Sequence, residues 1–233
     1  MRVILVLSFL FDAGQWPIAK CEVFCLAFTS LFLIFANVLP QSVQRLPMYD
    51  TFLKHKGGYR DLRAYQVSEM IYDITYHFAH HYLGQGDRTV DQMVQAAWSG
   101  KQNIAEGSKA ATTSSETEIK LTNVAKASLE ELLIDYEDYL RVRHLAQWKA
   151  GHTRYEKLRA YARSERVSKE YATLIPRLDD EELANFCITL IHQATYLLRR
   201  LIEKQQQMFL KEGGIREQMT RARLNYRNGR KNE

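Results

Sequence analysis

Few residues in this chain have types and spacings that could do chemistry. Asn103 and Glu106 stand three positions apart in DQMVQAAWSGKQNIAEGS, Asp91 to Ser108, and so share one helical face. One carboxylate and one amide could orient or protonate a substrate, but no nucleophile, base or metal cluster stands beside them. The competing reading is that both bond neighbouring helix backbone or a cap, as buried polar groups in bundles do. His77 and His81, at i and i+4, could ligate a transition metal, yet two histidines alone make a weak site. Their place near the negative end of a helix dipole explains them as well, and no metal site is expected. Cys187 lies in an apolar stripe without a visible cationic partner and reads as a small buried hydrophobe. The strongest pattern is the arm Arg141 to Lys169, where nine Lys/Arg face only Glu156 and Glu165, a balance of +7, with Trp148, Tyr155 and Tyr161 interleaved. Basic side chains neutralise phosphates and aromatic rings stack on exposed bases, so Arg143, Arg154, Arg159, Arg163 and Arg166 are candidate phosphate contacts. The alternative is an exposed helical excursion paired with the acidic third helix.

Several enzyme classes are excluded by pattern. Gly100-Lys101 lacks the earlier glycine and following Ser/Thr of a phosphate loop, and HExxH, paired CxxC and G-x-S-x-G are absent. No Glu has His three residues later, which removes the di-iron carboxylate bundles. No catalytic residue and no cofactor are expected.

The elements that must position these residues are helices. Four prolines and almost no alternating pattern argue against strands. From Asp61 to Leu83, Val67, Met70, Ile71, Ile74 and Phe78 recur at helical spacing. Asp87 or Thr89 can cap a second helix with Val90, Met93, Val94, Ala97 and Ile104 inward, loosened or ended near Gly107. Ala96, Ala97, Ser99, Gly100, Ala105 and Gly107 give it a small-residue face against which neighbours pack closely. Ser114 or Ser115 can cap a third helix running to about Trp148, with a seam of Leu121, Val124, Ala125, Ser128, Leu129, Leu132, Tyr136 and Leu140. Its outer face carries Glu130, Glu131, Asp135, Glu137 and Asp138. Acidic residues 179–182 open a fourth helix whose stripe runs from Leu183 to Leu201, and Gly213-Gly214 stops it. The predicted fold is all-α: an up-down four-helix bundle over 48–210, a basic helical excursion between helices three and four, and a short helical suffix over 211–233.

The net charge of +5 is uneven: residues 211–233 carry seven Lys/Arg against three Asp/Glu, whereas 48–210 carry 22 of each sign. Arg221, Arg223 and Arg227 of the suffix join the candidate phosphate contacts, while Ile215, Met219 and Leu224 could dock it on the bundle. Residues 1–47 differ in composition, with apolar runs Val3–Phe11 and Val23–Leu39. They read as an upstream mis-start before Met48, as a marginal membrane anchor over 23–39, or as a short secretory signal. One cysteine in the folded body fits a reducing compartment, and the expected location is the cytoplasm, with membrane anchoring as the alternative.

Asn103-Ile104-Ala105-Glu106-Gly107, together with YRDLRAYQ at 59–66, resembles a bacterial four-helix-bundle family. That family includes proteins encoded by intervening sequences in 23S rRNA genes and is similar to the accessory variability determinant of diversity-generating retroelements. GG-x-RE-x-M at 213–219 resembles the suffix domain of one branch. The resemblance implies a structural role for the motif and a homo-oligomer, a pentamer being one form. It also implies RNA, DNA or a reverse-transcriptase-like protein as partner, with a membrane involved only if residues 1–47 are genuine. The function so implied is non-enzymatic binding of nucleic acid or of a nucleic-acid-handling partner; a protein scaffold and an undetected enzyme are the alternatives. The basic arm replaces a shorter turn in related bundles and is not explained by the resemblance.

Overall fold

Side-chain caps set where the long helices begin. Asp87 accepts from the Thr89 N–H and Ser114 from the Thr117 N–H, while Asp179 and Glu182 form a reciprocal capping box. The computed structural model of the protein describes residues 58–229. All three readings of residues 1–47 lie outside them. Helices α1 (Arg63–Tyr82), α2 (Arg88–Ala110), α3 (Ser115–Val142) and α6 (Asp180–Glu212) are the long elements of an all-helical bundle. Between α3 and α6 come the short helices α4 (Tyr155–Arg163) and α5 (Val167–Leu174), and α7 (Ile215–Gly229) follows α6. No strand occurs among the described residues, and none of their helices is long and apolar enough to cross a membrane.

The stripes bury as their spacing requires. Val67, Ile71, Ile74 and Phe78 of α1 meet Met93, Ala97 and Ile104 of α2, Leu129, Leu132 and Leu140 of α3, and Leu183, Cys187, Leu190 and Ala194 of α6 in one core. Tyr139 near the end of α3 donates to Asp180 at the start of α6 (2.9 Å), while Gln205 late in α6 donates to Glu118 early in α3 (3.1 Å). The two helices are therefore antiparallel. At the centre, the Tyr136 hydroxyl donates to Thr75 Oγ1 (3.1 Å), which lies 3.8 Å from Cys187 Sγ. Burial pushes the Cys187 thiol up to about 12, so it is a packed core group without nucleophilic character.

Several boundaries and faces differ from expectation. Helix α2 runs through Gly107 to Ala110. Helix α3 stops at Val142, six residues before Trp148. There Leu145 N–H bonds Leu140 O, His144 N–H bonds Arg141 O, and His144 takes φ 58°, a Schellman turn made without glycine. The seam of α3 follows residues 118, 122, 125, 129, 132, 136 and 139, alternating steps of four and three. Val124, one position before Ala125, is rotated away and is 45% exposed. Glu118 and Thr122 take the seam places that apolarity had assigned to Leu121 and Val124, because Gln205 of α6 reaches both with hydrogen bonds.

Candidate nucleic-acid interface

The motif on α2 is occupied within the bundle. Asn103 donates to the Ser99 carbonyl (2.9 Å) and to Ser99 Oγ, which contacts Ser128 Oγ of α3; Glu106 is exposed and accepts from Gln102 one turn back. Ile104, Ala105 and Gly107 are buried. A Cβ at Gly100 would lie 2.6 Å from Leu129 Cδ2, and one at Gly107 would lie 3.3 Å from the Glu118 carbonyl oxygen. The small face thus lets α3 approach α2 closely. At Gly100 and Gly107 it is taken up by contact with α3 inside the chain. His77 and His81 stack with ring centroids 5.3 Å apart, and burial followed by the His81 charge lowers the His77 pKa. Among the described residues no three His, Cys, Asp or Glu groups are placed to hold a metal.

The basic arm is docked, on the start of α6 and in part on the acidic face of α3. Asn185 of α6 accepts from the Trp148 N–H (2.7 Å) and donates to the Ala146 and Glu181 carbonyls. Glu181 takes the Ala146 N–H and the Trp148 indole N–H (3.0 Å each). Arg154 pairs with Glu182 at 3.0 Å. The acidic start of α6 therefore latches the arm, while the outer face of α3, the expected partner, takes Gln147 at Glu137 (2.8 Å) and Arg141 at Asp138 (2.7 Å). Ala162, Val167 and Ile175 enter the core, so the segment is a layer of the body.

Docking divides the candidate arginines. Arg143 lies 3.9 Å from the Tyr139 ring centroid, Arg154 is committed to Glu182, and Arg166 grips Glu170 with two hydrogen bonds (3.1 and 3.3 Å). Arg159 and Arg163, exposed and in no ion pair with any of the described residues, line a groove of about 830 Å³ between the arm and α6. Lys149 lies on the same wall, and Glu137, held by Gln147 at 2.8 Å, is the opposing carboxylate. Trp148, Tyr155, His192 and Tyr196 supply aromatic surface. Comparison of the chain with protein-family models, curated proteins and solved structures returns no match. The groove is accordingly interpreted from its own chemistry: its volume lies within the range of about 300–1,000 Å³ usual for small-molecule sites, and three cations oppose one carboxylate.

The suffix arginines do not join this site. Arg221, Arg223 and Arg227 are exposed along α7, which buries no residue; of the three side chains expected to dock it, Ile215 is half-buried while Met219 and Leu224 remain exposed. Nineteen residues of α6 separate Gln193 in the groove from Glu212 at the suffix, about 28 Å at about 1.5 Å per residue. Sequence reading missed His192, Gln193 and Tyr196. The one signal for them was His192 and Tyr196 at i and i+4, on a side of α6 away from its leucine stripe.

Proposed function

We propose that the protein is a non-enzymatic bundle that binds nucleic acid, with the arm groove as principal contact and the α7 arginines as an auxiliary one. The observation that supports this is the pair of uncommitted guanidinium groups, Arg159 and Arg163, beside Tyr155 and Tyr196 in one groove. Cations that screen phosphates next to rings that stack on bases are the shared chemistry of single-strand-binding surfaces. Membership of the family suggested by the NIAEG and YRDL elements, self-association and work beside a nucleic-acid-handling protein belong to the same proposal. Titrating full-length protein with a fluorescent oligonucleotide over a salt series tests it. Binding should weaken as salt rises, and Arg159→Gln with Arg163→Gln should flatten the log–log slope by roughly 0.7–0.9 for each phosphate no longer neutralised. A slope unchanged in the folded double variant would reject the groove as the binding surface.

A protein-scaffold reading has one observation of its own. Phe209, Leu210, Met219, Leu224 and Tyr226 leave apolar surface exposed around the junction of α6 and α7. An interface built on those groups would respond little to salt, which separates it from phosphate binding.

A further inference from the structure

The groove holds a group that phosphate binding alone does not use. Gln193 lines the groove, and its Oε1 is buried with no hydrogen-bond partner among the described residues. A buried carbonyl without a donor costs free energy, so such groups in native proteins have a bonding partner, a ligand or an ordered water. Around it the groove has a distinct order. Tyr196 rises from α6, 54% exposed, with the Arg199 guanidinium 5.5 Å from its ring centroid; Tyr155 opens α4, and Arg159 and Arg163, one helical turn apart on the same helix, line the same groove. Trp148 is different, since its indole is pinned by Glu181 and stacked on His152 at 5.3 Å, which makes it wall.

We propose that this groove seats one nucleoside 5′-phosphate unit, its base against Tyr196 and Tyr155, its phosphate at Arg159 and Arg163, and a base N–H donated to Gln193 Oε1. Resting on the nucleic-acid reading above, the inference narrows it to an unpaired nucleotide, because a base inside a duplex presents neither its faces nor its pairing edge. Every common base carries an exocyclic amino or a ring imino N–H on its pairing edge, so the site selects for an unpaired base and not for a sequence. The same chemistry would accept a free mononucleotide.

The test uses the full chain and four probes of matched label: a single-stranded oligonucleotide, a strand of the same length built of abasic residues, a duplex, and adenosine 5′-monophosphate as competitor. Tighter binding of the base-bearing strand than of the abasic strand and the duplex is expected. Tyr196→Ala, at a half-exposed position, should reduce affinity for the base-bearing strand at least about fivefold, the lower end of the stacking effect, and leave abasic binding unchanged. Gln193→Leu should weaken base-bearing strands without lowering the melting temperature. Displacement of the strand by the mononucleotide at comparable concentration would assign the site to free nucleotide; displacement only in large excess would assign it to strands. Equal affinity for base-bearing and abasic strands, or an unaltered Tyr196→Ala variant, overturns the nucleotide seat while leaving salt-dependent phosphate binding standing. Absence of binding to every probe by folded protein removes both.

Discussion

Gly100→Ala tests whether the motif helix is a packing element. In an open helix the change would stabilise by about 1 kcal/mol, the propensity gap between the two residues. Here the added methyl would stand 2.6 Å from Leu129 Cδ2 and 2.8 Å from Leu129 Cγ. Cγ moves only with the whole side chain, and Leu129 is fully buried between neighbours of the core. Overpacking of this kind costs about 1–3 kcal/mol, so the net change should be a destabilisation of about 1 kcal/mol. Denaturant melts followed by far-ultraviolet circular dichroism measure it, provided the slope with denaturant is unchanged. Leu129→Ala alone should cost about 2–5 kcal/mol. In that background the clash is gone, and Gly100→Ala should turn favourable, giving a coupling of about 1–3 kcal/mol between the sites. A Gly100→Ala single variant more stable than the parent by about 1 kcal/mol would refute the close approach of α2 and α3.

Ile104→Asp places an unpaired carboxylate in the core and should cost several kcal/mol, about 3–5; an unaltered melting temperature would contradict its burial. Tyr136→Phe deletes the hydroxyl that donates to Thr75 and should cost about 1 kcal/mol in chemical denaturation, with no change in fold. Burial, followed by the Asp138 and Glu131 charges, raises the Asp135 carboxyl above the ordinary range. Because its folded value exceeds its unfolded one, its contribution to stability is present at low pH and lost as pH rises through the raised value. Asp135→Asn should therefore melt higher than the parent at pH 7, with the gap closing as pH falls toward about 4. Light scattering on the full chain measures self-association, which a monomer mass at micromolar concentration would exclude.

The long helices were legible because each repeats its apolar positions over about three to five turns, beyond what a chance pattern sustains. The arm was not, since its anchors Trp148, Ala162, Val167 and Ile175 are scattered over two short helices and the loops between, with no period to detect. Its receptor had left one trace. Asn185 interrupts the stripe of α6 between Leu183 and Phe186, and a polar residue at a core position needs partners from somewhere. The seam of α3 was misassigned at Val124 for a related reason: hydrophobicity alone cannot register that Gln205, far away in sequence, makes Glu118 and Thr122 acceptable inside. Positive charge in the arm was visible, but whether a given arginine is spent on a carboxylate is decided by tertiary contact. Arg154 and Arg166 could be told from Arg159 and Arg163 only in three dimensions.

Helix α7 spans 15 residues and buries none of them. Isolated helices of that length are marginal in water, and Arg223 and Arg227 repel one another one turn apart. At its start Glu217 accepts the Gly214 N–H and Gln218 reaches the Gly213 carbonyl. On the proposed nucleic-acid reading, an anion or partner that neutralises the suffix arginines would also supply free energy that keeps the helix wound, coupling its folding to binding. Such a device exchanges some affinity for ready release, and it makes a rise in helix content the direct signal that the tail has been engaged.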